Sequence, residues 1–182
     1  MDLQKQINNC RLCGDFPKLT EKSIQVGKTR FIIIGESPAK DGWLLSKRAF
    51  YNIDGKLQAT GKVLQKLLNN INFSIDDIYF TELCKCNIEN RKMLAKCSQN
   101  CLKFLLAQLE NIPCDIIVTM GKFPTQTLLN SKIDKLTDVV GKIFDVKFGK
   151  KAFKLVPIYH PSPLNPLGYK GNVEIFEKIK SI

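Results

Sequence analysis

Four short apolar runs, rich in β-branched residues, punctuate the chain: Phe31-Ile32-Ile33-Ile34, Ile78-Tyr79-Phe80-Thr81, Asp115-Ile116-Ile117-Val118-Thr119 and Lys154-Leu155-Val156-Pro157-Ile158-Tyr159. Near-continuous apolar runs of this length suit strands covered on both faces. Helical spacing lies between them. From about Thr60 to Asn70 the pattern carries Val63, Leu64, Leu67 and Leu68, with Ile71 next in register. A second helix is expected through Cys101, Leu102, Leu105, Leu106 and Leu109, with Ser98 as its cap. A third covers Pro124 to Leu129, and a last one Val173 to Ile179. Between Ile133 and Phe153, Gly141 and Gly149 break alternating segments that suggest a small hairpin. Strands alternating with helices predict an α/β fold with a doubly wound, mostly parallel sheet.

The residues at the end of each run are as informative as the run itself. The first ends in Gly35-Glu36-Ser37-Pro38, the second at Glu82 before Cys84-Lys85-Cys86, the third in Gly121, and the fourth in His160-Pro161-Ser162-Pro163. Open α/β sheets bind ligands outside the carboxyl ends of their strands. The unusual polar residues therefore gather where such a fold places a site.

No repeat, low-complexity tract or Pro/Gly-rich linker divides the 182 residues, which suits a single domain spanning 1–182. No apolar run reaches membrane-spanning length, and the start, Met1-Asp2-Leu3-Gln4-Lys5-Gln6, lacks a signal peptide's apolar stretch. The expectation is an intracellular, prokaryote-like cytoplasmic protein, a monomer with no membrane partner. A net charge of +11 changes the picture by pointing to a polyanion, since phosphate contacts supply most non-specific nucleic-acid affinity. A Lys-rich solvated surface is the plainer alternative.

The seven cysteines are clustered: Cys10 and Cys13, then Cys84, Cys86, Cys97 and Cys101, with Cys114 apart. In an intracellular chain such clustering points to metal before disulfides. Cys10-x-x-Cys13 is a chelating pair to which Cys86 and Cys101 can add two thiolates. Four thiolates suit an iron–sulfur cluster or structural zinc. Cys84 and Cys97 compete as ligands by spacing, whereas Cys114, beside a strand, reads as core. The spacing is not the compact ferredoxin pattern, so a cluster would staple distant segments.

His160 is the chain's one histidine, fixed between a strand and a double-proline turn. Such an imidazole can donate a hydrogen bond to charge developing on a leaving group. Glu36 comes after a strand and Gly35, in a turn braced by Pro38; it can orient a water or steady an oxocarbenium-like sugar. Phe50-Tyr51, preceded by Lys47-Arg48, joins stacking surface to phosphate-binding charge.

These pieces, in this order, resemble the uracil-DNA glycosylase superfamily, in particular its iron–sulfur branch, family four. Cys10-Arg-Leu-Cys13 is similar to that branch's CxxC, and Gly35-Glu36-Ser37-Pro38-Ala39 to its first motif, usually Gly-Glu-Ala-Pro-Gly. Lys85-Cys86, Asn90-Arg91 and Cys101 match the segment bearing the third and fourth cluster ligands. His160-Pro161-Ser162-Pro163-Leu164 resembles the last motif. The resemblance implies a three-layer α/β/α fold around a central four-stranded parallel sheet. It implies a structural 4Fe–4S cluster on Cys10, Cys13, Cys86 and Cys101, joining the N-terminal segment to residues 84–101; zinc is the lesser alternative. The implied partner is DNA carrying a damaged base, and the implied reaction hydrolyses that base's N-glycosidic bond in base excision repair. Phe50 would stack on the flipped base, Glu36 and His160 would catalyse, and Leu164 would wedge into the gap beside Ser162. Ser162, Lys85 and Arg91 would lie on the DNA-binding surface, and Ser37 would stand beside the base.

Two departures accompany the match. Glu82 occupies the position where the family usually reads uracil with an asparagine amide, and an ionised carboxylate only accepts hydrogen bonds. The stretch from Ala39 to Gly61 is longer than the usual link, with the capacity to reshape the pocket. The alternatives are a catalytically inactive nucleic-acid-binding or damage-sensing module of the same fold, and an enzyme of free nucleosides or nucleotides.

Overall fold

The structure, a computed structural model, describes residues 2–182. All four apolar runs form strands: β2 (Phe31–Gly35), β3 (Tyr79–Glu82), β4 (Ile116–Met120) and β6 (Lys151–Ile158), joined by β1 (Ile24–Gln25) and β5 (Phe144–Phe148). The sheet order is β1-β3-β2-β4-β6-β5. The inner four strands run parallel, with Ile33 opposite Phe80 on one side and Val118 on the other. The two edges are antiparallel, so the sheet has six strands where the resemblance implied four. β5 and β6 form the hairpin suggested around Gly149, and β5 alternates half-buried and exposed residues as a one-sided edge strand does.

Alternation along β2 divides the core. Phe31 and Ile33 join Leu64, Leu67 and Leu68 of α3 (Ala59–Asn70) and Phe176 and Ile179 of α6 (Val173–Ser181). Ile32 and Ile34 face the other way, onto Leu105 and Leu109 of α4 (Leu94–Glu110) and Leu128 of α5 (Lys122–Leu128). Helices thus cover both faces, giving the three layers.

The sequence pattern misplaced the start of α4. The helix begins at Leu94, and Ser98 sits inside it with its hydroxyl donating to the Ala95 carbonyl at 2.8 Å. Two short helices, α1 (Leu3–Asn9) and α2 (Trp43–Ser46), carried no clear periodicity in so few turns. The long stretch from Ala39 to Gly61 packs on the core through Trp43, Ala49 and Phe50. Trp43 and Phe50 pack on Phe80 at ring-centroid distances of 5.5 and 4.3 Å.

A buried polar network ties the N-terminal segment to the sheet and to α4. Lys85 is fully buried, and its Nζ donates to Thr81 Oγ1 and Gln108 Oε1, both at 2.7 Å, and to the Glu82 carbonyl. Gln108 in turn donates to Ser23 Oγ at 2.9 Å. Three acceptors match the three hydrogens of an ammonium, which is what allows a lysine in this position. Among the described residues, no helix is long and apolar enough to cross a membrane.

Candidate active site and thiol cluster

A cleft of about 580 Å³ opens at the carboxyl ends of the parallel strands, lined by Glu36, Glu82, Arg91, Phe123 and His160 among others. Its location is a consequence of topology. The chain runs from β2 to β3 on one side, then crosses to β4 on the other, so the loops diverge above β2 and β4 and leave a crevice. Gly121, at φ +92°, ends β4 in a backbone conformation that favours glycine and turns the chain into α5, which brings Phe123 to the cleft.

Glu36 enters from the end of β2. The β2–β3 ladder continues past the strands, with the Leu83 amide donating to the Gly35 carbonyl and the Cys84 amide to the Glu36 carbonyl, both at 2.9 Å. The Glu36 backbone is fixed by this extension. Its carboxylate pairs with Arg91, whose Nη1 meets Oε1 and whose Nη2 donates to Oε2 at 3.1 Å. This two-pronged contact orients the carboxylate.

His160 stands opposite, after β6. Its carbonyl accepts from the Ser162 amide at 2.8 Å and from Asn165 Nδ2 at 3.1 Å, so the loop folds back on itself. Asn172 secures the loop's base, accepting from the Tyr159 amide and donating to the Tyr159 and Gly168 carbonyls. The imidazole keeps solvent contact at the cleft rim, yet partial desolvation lowers its pKa, against the opposing pull of Glu36. It is therefore neutral at neutral pH, with an N–H to donate.

Glu82 forms the cleft's floor beside Gly35. It is only 8% exposed, and its Oε2 is buried with no hydrogen-bond partner. Desolvation pushes the carboxyl pKa up to about 8, with Lys85 opposing and Glu36 reinforcing the shift. Ser37 also lines the cleft. Leu164 projects from the His160 loop, 92% exposed, and Ser162 Oγ accepts from its amide at 3.2 Å.

Two expected contacts require correction. Phe50 is not among the residues that line the cleft: its ring packs in the core against Phe80. The aromatic side chain that does line the cleft is Phe123, with Lys122 and Gln126 from the same helix. Applying the strand-end rule to Gly121 would have found them. Lys85 is not on the surface and cannot meet phosphate, because burial and its three acceptors hold it under the sheet's end. Arg91 remains 68% exposed in its side chain, but it is engaged with Glu36. Arg48 and Tyr51, next to Phe50, are both held by Asp76, each at 3.0 Å.

Behind the Glu36 wall the cysteines draw together. The N-terminal segment lies along residues 85–87, with the Leu19 amide donating to the Lys85 carbonyl at 3.0 Å and the Asn87 amide to the Pro17 carbonyl at 2.8 Å. Asn87 Nδ2 also reaches the Pro38 carbonyl at 2.9 Å, linking this region to the Glu36 turn. Desolvation pushes the Cys86 thiol pKa up to about 11, reinforced by the nearby Cys101, Cys13 and Cys10 and opposed by Lys18. Cys84 and Cys101 are hydrogen-bonded, raising the former and lowering the latter. Cys114 is buried elsewhere, in the core beneath α4. Among the described residues, no three His, Cys, Asp or Glu side chains stand in a metal-binding arrangement as placed. The donor chemistry nevertheless fits a thiolate-bound group. Thiols from three segments converge, and N–H donors already point at sulfur, Asn100 Nδ2 at Cys13 (3.4 Å) and the Lys85 amide at Cys101 (3.5 Å).

Comparison with known proteins agrees with this architecture. The family model described as Uracil DNA glycosylase superfamily matches residues 22–180. The chain is 29% identical to the Type-4 uracil-DNA glycosylase of Archaeoglobus fulgidus over 167 residues, covering 88% of this chain and 80% of that one. It is 28% identical to the protein of the same name from Saccharolobus solfataricus, covering 96% and 82% of the two chains. It is also 28% identical to that of Thermotoga maritima, covering 89% and 81%. With the matched segment running from before β1 almost to the end of α6, the chain belongs to the uracil-DNA glycosylase superfamily.

Proposed function

We propose that this protein is a DNA glycosylase that takes a damaged base, uracil first among them, out of the stack and hydrolyses its N-glycosidic bond in base excision repair. The observation that carries this is the cleft itself: Glu36 and His160 enter it from β2 and β6, with Phe123 alongside. The shared name of the relatives supports uracil as the base. The net charge of +11 supports a DNA partner.

In this reaction the glycosidic bond breaks with its electron pair leaving on the base, and water supplies the new oxygen at the sugar. Neutral His160 donates a hydrogen bond to the departing base, where negative charge develops. Glu36, held by Arg91, stabilises the sugar cation and aligns the water. Phe123 offers the stacking surface that lines the cleft, and Ser37 stands beside the base. Exposed Leu164 enters the gap left in the duplex, with Ser162 bracing its amide. Arg91 borders the DNA-binding surface.

Cys10, Cys13, Cys86 and Cys101 would hold a 4Fe–4S cluster, and zinc is the lesser alternative. Such a cluster would supply a cross-link with no redox step. It would join the N-terminal segment to residues 84–101 within one domain spanning 1–182. The protein acts as an intracellular monomer in this reading.

The competing possibility is a binding module without turnover. It is tested with Glu36→Gln and His160→Ala on an oligonucleotide carrying one uracil. A glycosylase requires that wild-type protein create an abasic site and that both variants bind DNA while losing at least about tenfold in rate. Binding without base loss in the wild type, on uracil, hypoxanthine, xanthine and an oxidised base alike, would establish the module instead.

A further inference from the structure

We propose that Glu82 reads the base as a neutral carboxylic acid, donating its O–H to a carbonyl oxygen on the base edge, so that recognition of keto bases is lost as the carboxyl ionises. The inference rests on the cleft being the base pocket.

The geometry begins at the β2–β3 ladder, where Gly35 is opposite Glu82. With no Cβ at residue 35, the Glu82 carboxyl lies against the bare backbone, and any side chain there would collide with it. The protein gives Oε2 no donor, although it is sealed from water. A charged carboxylate in this position would leave Oε2 without solvation or a hydrogen-bonding partner, a costly condition that protonation relieves.

The neighbouring charges do not supply the missing partner. From the segment after β3, Lys85 spends its Nζ on Thr81, Gln108 and the Glu82 carbonyl. From the end of β2, Glu36 adds negative charge, and Arg91 is turned toward Glu36. His160 at the end of β6 has its pKa lowered by desolvation. Lys122 of α5 donates to the Asp134 carbonyl at 3.0 Å.

The chemistry then fixes the ligand class. An ionised carboxylate offers only lone pairs and repels a carbonyl oxygen, whereas the protonated form offers a donor and an acceptor, as an amide does. Uracil, hypoxanthine and xanthine each present a carbonyl beside a ring N–H. The protonated Glu82 is thus able to read the edge that an asparagine amide would read.

The test is the single-turnover rate of uracil release from about pH 6 to about pH 9.5, for wild type and Glu82→Gln. The wild-type rate is expected to fall about tenfold per pH unit on the alkaline side. Glu82→Gln, which carries a donor at every pH, is expected to flatten that limb whatever its absolute rate. An infrared difference spectrum between the two pH extremes supplies a readout independent of turnover. It should contain the protonated-carboxyl stretch in wild type and lose it in Glu82→Gln. A flat wild-type profile, an alkaline fall that persists in the variant, or a carboxyl band absent from wild type would each overturn the proposal. Uracil release at the acid end that His160→Ala abolishes separates these outcomes from failure of the glycosylase reading itself.

Discussion

The Glu82 carboxyl occupies the space above Gly35 that a side chain would otherwise fill, and its Oε2 has no hydrogen-bond partner there. Gly35 is therefore required by its neighbour, since its own backbone is ordinary strand. Gly35→Ala must push the carboxyl into the cleft or move the strand. The expected cost is about 1–3 kcal/mol of stability, typical of overpacking, together with a loss of uracil release. Denaturant unfolding and a release assay on the same preparation check both.

Ionisation of Glu82 also makes stability depend on pH. Its folded pKa, about 8, lies above the ordinary 4.5, so the folded state holds a proton that the unfolded chain releases. This contribution is fully present below the unfolded value and is lost as pH rises through the folded one. Glu82→Gln should remove that component of the decline between about pH 4.5 and about pH 8. Melting curves across this range test it; identical slopes in wild type and variant would contradict a raised pKa.

Lys85 belongs to the fold, and its removal should show as instability. Lys85→Met removes the Nζ donor shared by Thr81 Oγ1, Gln108 Oε1 and the Glu82 carbonyl, of which Gln108 Oε1 keeps a second donor in Thr81, at an expected cost of about 2–4 kcal/mol. A phosphate contact would behave differently, reducing the slope of log affinity against log salt by about one. Binding titrations over a range of salt should find that slope unchanged in folded Lys85→Met.

The proposed ligand set separates the thiols by what their loss should do. Anaerobically prepared Cys86→Ala and Cys101→Ala are expected to lose iron and sulfide, while Cys114→Ala, altered in the core beneath α4, keeps the full complement. Retention of a complete cluster in both Cys86→Ala and Cys101→Ala would overturn the ligand assignment.

The parallel core was legible because β2, β3, β4 and β6 are buried on both faces and so appear as unbroken apolar runs. The two-residue β1 and the four-residue α2 are too short to carry a period. Glu36, Glu82 and His160 could be placed at the site because each stands at the end of a strand, and strand ends share one edge of the sheet. Side-chain direction was the part that local sequence does not encode. Phe50 has φ +69°, and its ring turns into the core onto Phe80. Lys85 reads as surface until Thr81 and Gln108, 4 and 23 residues away, supply its acceptors. Such long-range polar satisfaction becomes visible only when the chain is folded.

The most direct measurement is detection of the products themselves, by incubating the anaerobically purified protein with an oligonucleotide containing one uracil and analysing both fractions by mass spectrometry. Free uracil together with an intact-backbone abasic strand, both absent with His160→Ala, is the expected result. Bound but chemically unchanged oligonucleotide in the wild-type reaction would contradict a hydrolytic role for the Glu36–His160 cleft.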